Sequence, residues 1–319
     1  MAAVQSKGQQ IWNRLAVLLA LLVLVITMIP LYWIGSTAFK ARADATTVPP
    51  TVFFKPQITA FIKLFTARVQ FRGEIDKDAY AAAPWWEKLV LDGGERFIKD
   101  DKGYIENSGY AARFLNSLII AVTSTFLAVA MGTVTAYGFS RFKMPGEADW
   151  LFFILSTRML PPVVVAIPMF LMYRIVGLVD THVGLIILYT AFNLSFSVWL
   201  MKGFMDEIPK EYEEAALVDG YTRMAAFFKI VLPQAVTGIA ATAVFCFITA
   251  WNEYAFALMM TTRKAQTAPP YIPSQLGSGL TDWTTIAAGS LLFLVPVTIF
   301  TFLLRNHLLR GVTFGAIRK

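Results

Sequence analysis

Asp206-Glu-Ile-Pro-Lys-Glu-Tyr-Glu-Glu-Ala-Ala-Leu-Val-Asp-Gly220 is a charged stretch between two uncharged ones, residues 183–201 before it and 231–252 after it. A membrane-spanning helix needs about 20 mostly apolar residues, because roughly 1.5 Å of rise per residue must cross a hydrocarbon core of about 30 Å. Both flanking runs meet that length, so the charged stretch reads as a loop joining two membrane helices on one side of a bilayer. The loop carries helix signals of its own. Pro209 suits a first helical turn, where its missing N–H breaks no bond, and Glu211, Glu213 and Glu214 lie near the positive end of the helix dipole. Gly220 can adopt the left-handed conformation that ends such a helix. Thr222 can cap a second short helix over 223–230, and Pro233 stands where the next span begins. Ala215 and Ala216 leave a shallow patch onto which another protein's backbone could close.

Further charge-free runs occupy 15–39, 114–140 and 283–304, and 150–173 is interrupted only by Arg158, which makes six predicted spans. The composition agrees: 56% of the 319 residues are hydrophobic and 15% charged, against roughly 25% charged in soluble domains. The mean hydropathy of +0.57 also excludes a disordered chain, which needs low hydrophobicity and high net charge. Lipid offers the backbone no hydrogen-bond partner, so the runs should be helices, and no alternating ten-residue pattern suggests a barrel. The expectation is an all-α membrane protein. The first run, uncharged for 25 residues, exceeds the 7 to 15 apolar residues of a secretory leader and reads as a retained span.

The net charge of +7 is a topology signal. With the N-terminus inside, the internal flanks hold twelve basic residues: Lys7, Arg14, Arg141, Lys143, Lys202, Lys210, Arg223, Lys229, Arg305, Arg310, Arg318 and Lys319. The short external flanks hold three, Arg174, Arg263 and Lys264. Cytoplasmic loops carry the excess of Lys and Arg, so both termini (1–14 and 305–319) are expected in the cytoplasm. The first span (15–39) then leads into a long external segment, 40–113, which is nearly neutral and carries Trp85-Trp86, suited to an external partner or the membrane surface. The core of five spans covers 114–304, with the cytoplasmic loop at 205–230. Nucleic acid is not needed to explain the charge. One cysteine, Cys246, and two histidines, His182 and His307, cannot build a disulfide framework or a His/Cys zinc cluster. No metal site and no catalytic set of nucleophile and base is expected.

The loop resembles the cytoplasmic signature of permease subunits of ATP-binding-cassette importers that work with an external binding protein. That signature is Glu-Ala-Ala, three residues, Gly, nine residues, Ile, one residue, Leu-Pro, and Glu214-Ala215-Ala216, Gly220, Ile230 and Leu232-Pro233 fit every spacing. Thr157-Arg158-Met159-Leu160-Pro161-Pro162 with Ile167-Pro168, Trp251-Asn252-Glu253 and the tail Gly315-Ala316-Ile317-Arg318-Lys319 are similar to the carbohydrate-uptake branch, and to the second permease of maltose-type systems. The similarity covers about 10–50 and 110–319. The external segment from Thr66 to Ser108 looks longer than the branch usually has.

The resemblance implies a type I importer permease fold in the bacterial cytoplasmic membrane, paired with a second, homologous permease, a dimer of ABC ATPase subunits and an external solute-binding protein. No phosphate-cradling Gly-x-x-x-x-Gly-Lys-Ser/Thr occurs, so ATP and Mg would be held by the partner ATPase and the chain itself carries no cofactor. It further implies that Glu214, Ala215, Ala216, Leu217, Asp219, Gly220 and Arg223 couple to the ATPase, with Glu214 the acidic anchor and Gly220 the turn. Asp219 either touches the partner or stabilises the turn. Arg318 and Lys319 either reach the ATPase or add to the cytoplasmic charge.

Arg158 and Glu253, ionisable groups in or near spans, are translocation-pathway candidates or an ion pair that holds helices together. Asn193 and Asn252 line a polar path or bond between helices. Pro161, Pro162 and Pro168 should kink the third span, for gating or as a static fit. The rival function is ATP-independent secondary transport or a channel. It calls for ion-coupling carboxylates within the spans, and only Glu253, near a span end, comes close.

Overall fold

The computed structural model describes residues 7–68, 76–84, 105–274 and 282–314. Two compact units are present: Met1–Gly109 with Gln275–Leu292, and Tyr110–Ser274 with Phe293–Lys319.

In the first unit, α1 (Lys7–Ala38) is apolar and exposed from Leu15 through Tyr32, as a helix solvated by lipid would be. Its end packs through Ala38 against Ala60 of α2 (Thr59–Phe65), Ala287 and Ala288, and the Phe39 and Phe61 rings lie 5.1 Å apart. Lys40 is buried with its ammonium 4.0 Å from the Trp33 ring, a cation–π contact. α2 runs into β1 (Thr66–Arg68), which pairs antiparallel with β2 (Ile105–Asn107). This small sheet is the one departure from the all-α expectation among the described residues. α3 (Lys77–Ala82) is capped by Asp76, whose carboxylate accepts the Ala79 N–H at 3.1 Å. Trp85 and Trp86 lie outside the described residues.

The second unit is built on α4 (Tyr110–Arg141). Its buried positions Tyr110, Ser117, Ile120, Ala121, Ser124, Thr125, Ala128, Val129, Gly132, Thr133, Ala136, Phe139 and Ser140 recur mostly at three- and four-residue steps. Between Ser117 and Ser140 they form one face made mainly of small side chains. In lipid no hydrophobic force drives helices together, so close van der Waals contact between small residues has to do it. At Gly132 the approach leaves no room for a side chain: a Cβ there would lie 2.2 Å from Ser197 Oγ and 2.6 Å from Ser197 Cβ.

The other α-helices of four residues or more among the described residues are α5 (Glu147–Ser156), α6 (Pro162–Ile175), α7 (His182–Glu207), α8 (Lys210–Val218), α9 (Arg223–Ala226), α10 (Val236–Trp251), α11 (Ala255–Met260), α12 (Ala268–Ser274) and α13 (Trp283–Phe314). α7 lies along α4, and α10 packs on both. An aromatic ladder closes the core. Phe247 stacks on Phe300 at 4.4 Å and Trp251 on Phe293 at 4.6 Å, and the Trp251 indole N–H donates to the Phe293 carbonyl at 3.1 Å.

Two expected spans are not straight. The run 150–173 is α5, a 3₁₀ turn at Thr157–Met159 and α6, with a 90° bend. Leu160 and Pro161 each precede a proline and are pushed out of the helical region, with ψ at 127° and 130°. Pro168 sits inside the continuous α6 and does not break it. The run 231–252 resolves into α10, 16 residues long and so about 24 Å at roughly 1.5 Å per residue, bent by 73° from the segment Arg223–Gln234. Among the described residues, four helices are long and apolar enough to cross a membrane, or up to six if each bent pair is one span.

Opposite ends of the second unit are tied by different devices. Asp180, with a left-handed φ of 57°, accepts the backbone N–H groups of Thr262, Arg263, Lys264 and Ala265 at 3.1 to 3.2 Å. Burial alone would raise its pKa, but these N–H donors outweigh burial and hold the carboxylate below its usual range. The tie is therefore complete above the ordinary carboxylate pKa and is lost only as pH falls through the lowered one.

Gly132→Leu should lower the thermal midpoint of the chain in detergent, since overpacking costs about 1–3 kcal/mol or more. Gly138→Leu, at a position with nothing within 4 Å, should leave that midpoint unchanged.

Candidate functional site

Three short elements form the loop after α7. Ile208 is extended and Pro209 precedes α8. Gly220 follows at φ 87°, and its N–H and that of Tyr221 close on Leu217 and Ala216 carbonyls. The Thr222 hydroxyl accepts the Ala225 N–H at 3.3 Å and opens α9. The expected second helix over 223–230 is a single α turn that continues as a π turn over Phe227–Val231. Pro233 has no N–H to give the Lys229 carbonyl, so the ordinary ladder cannot run through this point.

Behind the loop lies an ion pair that sequence reading missed. The Arg141 guanidinium, at the end of α4, donates from Nε to Glu213 Oε2 at 3.0 Å, with both side chains 4 to 5% exposed. The same guanidinium donates to Ser140 Oγ at 2.9 Å, to the Met205 carbonyl at 3.1 Å and to the Ile208 carbonyl at 3.0 Å. The Tyr137 hydroxyl donates to the other Glu213 oxygen. The Met205 carbonyl also accepts the Ile208 N–H at 3.3 Å, so Arg141 adds a second donor there and one to the Ile208 carbonyl, and serves as a side-chain cap at the C-terminal end of α7. Nearby, Asp206 accepts from Ser140 Oγ at 2.6 Å and from Lys202 Nζ at 2.7 Å, and Lys202 pairs with Glu147 at 3.2 Å. In sequence Arg141 reads only as topology charge and Glu213 as dipole charge. Nothing local in the sequence separates Glu213 from Glu214; the structure shows Glu213 and Ala216, three apart, to be the two buried residues of α8.

The expected loop residues divide between two sides. Glu214, Ala215, Asp219, Gly220 and Arg223 are exposed and Leu217 is half-buried. Ala216 is turned inward and 6% exposed, so it is not part of an accessible patch. The loop instead exposes Val218 (87%), Met224, Phe228 and Tyr212. Arg223 rests on the Phe142 ring at 5.4 Å. Arg318 and Lys319 lie outside the described residues.

Arg158, Asn193 and Glu253 come together around one cavity of about 170 Å³, with Tyr189, Phe192, Thr249 and Phe256 in the same wall. Arg158 and Glu253 do not pair; among the described residues no ion pair joins them. Arg158 donates to the Phe192 carbonyl at 3.0 Å and to Asn193 Oδ1 at 3.4 Å. Asn193 also accepts from Thr249 Oγ1 at 2.6 Å and donates to the Cys246 carbonyl at 3.2 Å, so it does bond between helices. Glu253 accepts the Phe256 and Ala257 N–H groups and the Tyr189 hydroxyl, which caps α11. Asn252 is exposed, bonded to the Ile248 carbonyl of its own helix, and does not line the cavity.

Residues 128–314, more than half of the chain, match the family of binding-protein-dependent transport system inner membrane components. The chain belongs to this family. It is 28% identical over 291 residues to the probable ABC transporter permease protein y4oR of Sinorhizobium fredii, covering 91% of this chain and 90% of that one. It is 33% identical over 220 residues to the trehalose transport system permease protein SugB of Mycobacterium tuberculosis, covering 68% and 80%. Its fold is that of a chain in the crystal structure of a bacterial ABC transporter involved in the import of the acidic polysaccharide alginate, with a TM-score of 0.66 over 96% of this chain and 100% of that one at 19% identity.

The two adjacent glutamates of the permease loop should behave differently. Glu213→Ala strands a buried guanidinium and should cost about 3–5 kcal/mol of stability. Glu214→Ala, at an exposed position, should stay within about 0.5 kcal/mol. Thermal unfolding of both variants in detergent checks the contrast.

Proposed function

We propose that this permease is half of a pore that carries a carbohydrate inward across the bacterial cytoplasmic membrane, with six spans and both termini in the cytoplasm. A second permease supplies the other half. A pair of ABC ATPase subunits holds ATP and Mg and drives alternating access, and an external binding protein delivers the solute. The trehalose-transporting relative supports the carbohydrate class.

The observation that carries the coupling reading is the construction of the loop. It presents large apolar side chains to water, Val218 and Met224 among them, on a short helix pair held from behind by the buried Arg141–Glu213 pair. Exposed apolar side chains on a stiff support are what a docking surface for another protein requires. Glu214, Ala215, Leu217, Asp219, Gly220 and Arg223 would face the ATPase, and Arg318 and Lys319 would add to that contact. Ala216, being inward, would act by letting α8 lie close to its own subunit. On the pathway, Arg158, Asn193 and Glu253 would meet solute hydroxyls, and Phe192 and Phe256, which line the same cavity, would pack against its C–H side. Asn252 is left out of that set.

The test is uptake of labelled trehalose into proteoliposomes that hold the purified importer. Accumulation should require ATP on the cytoplasmic side, and accumulation without ATP would favour the ATP-independent reading. A β-branched side chain at φ 87° is strained. Gly220→Val should therefore leave the permease in the membrane at the normal level but remove both the ATPase from the purified complex and the uptake. Normal uptake by that variant would overturn the docking assignment.

A further inference from the structure

The Arg141 network closes a triangle. One guanidinium, fixed to α4 by its own backbone, bonds at once to α8 through Glu213 and to the end of α7 through the Met205 and Ile208 carbonyls. Ile208 is the extended residue at which the chain leaves α7, and Pro209 follows it. It is the natural hinge of the loop helix, since extended residues between two helices are where a rotation is absorbed. The bond from Arg141 Nη2 to the Ile208 carbonyl lies on the hinge itself. Glu213, one turn farther on, is held by two donors from α4, Arg141 Nε and the Tyr137 hydroxyl. Tyr137 in turn packs on Phe227 at 4.6 Å, which fastens the far side of the loop to the same helix. The ion pair at the centre of the triangle is buried, so water cannot replace it cheaply.

We infer that Arg141 is a positioning residue that locks the hinge at Ile208–Pro209 and makes α8, α4 and α7 move as one rigid body. This rests on the coupling reading above. A push on α8 from the ATPase then displaces the two core helices directly. Without the lock, the same push is dissipated as rotation of α8 about its hinge. A plain stabilising role predicts only a change in the amount of folded permease. The lock predicts a change in the work obtained from each ATP.

Arg141→Lys tests this, because lysine keeps the charge but, as a point charge, lacks the planar fork that holds Glu213 and two carbonyls together. In proteoliposomes that hold the whole importer, the variant should retain the ATPase at the normal ratio and lose trehalose uptake per ATP hydrolysed by about tenfold, the scale of typical coupling free energies. Unchanged uptake per ATP overturns the inference. A second measurement leaves Arg141 in place, and so decides the matter even if the lysine variant fails to assemble. Spin labels at Val134 on α4 and Tyr212 on α8, both exposed, should keep the same separation with and without ATP, to within the small helix shifts of about 1–2 Å. A larger change shows a free hinge and overturns the inference. If no ATPase accompanies the unmodified protein at all, the coupling reading has failed, an outcome distinct from either of these.

Discussion

The buried contact between Arg141 and Glu213 is the constraint around which the loop end of the permease is arranged. Taking two charges out of water is costly, and their attraction offsets that cost only where hydrogen bonds occupy the remaining donors and acceptors. Here they do. The guanidinium reaches a carboxylate, a hydroxyl and two helix-terminal carbonyls, and the carboxylate has a second donor in Tyr137. One side chain thereby caps α7, pins α8 and ties both to α4. The same α4 supplies the small-residue face on which α7 lies, so position along the membrane and position of the loop are set by one helix.

That division of labour suits a permease. The span interfaces use close packing of Ala, Ser, Thr and Gly, which holds α7 against α4 at van der Waals contact. The loop uses charged, directional bonds, which fail if the geometry shifts by much. A loop helix fixed to a close-packed pair of helices follows from these two kinds of contact. The bends in the chain are compatible with this arrangement: α5 and α6 meet at 90° at paired prolines, and α10 is bent by 73° from the segment before it. The cavity lined by Arg158, Asn193 and Glu253 lies next to the first of these breaks, with Pro162 in its wall.

Much of this is legible in the amino-acid sequence. Spans are legible because lipid imposes length and apolarity on every residue of a run, and the loop is legible because Pro209, Gly220 and Thr222 act on the backbone locally. Gly220 and Thr222 do in the structure what their local chemistry requires, and Pro209 stands extended just before α8 and not in its first turn. The spacing from Glu214 to Pro233 points to the family that residues 128–314 match. What cannot be read in the sequence depends on contacts between distant positions. Arg141 and Glu213 are 72 residues apart, and nothing in either neighbourhood marks them as partners. Ala216 passes for accessible only as long as the inward side of α8 is unknown. Arg158 and Glu253 look like possible partners because opposite charges in apolar surroundings invite pairing, yet each satisfies itself on backbone and neighbouring polar groups. The bends are sharper than a run of apolar letters suggests, because hydropathy registers composition and not the two dihedral angles that a proline pair restricts.

A permease driven through its loop by a separate ATPase should carry that ATPase with it. Purification from the native membrane in mild detergent, with mass spectrometry of whatever accompanies the chain, tests it most directly. The account predicts an ABC ATPase, a second permease and, with solute present, an external binding protein. A stable chain recovered without an ATPase would contradict it.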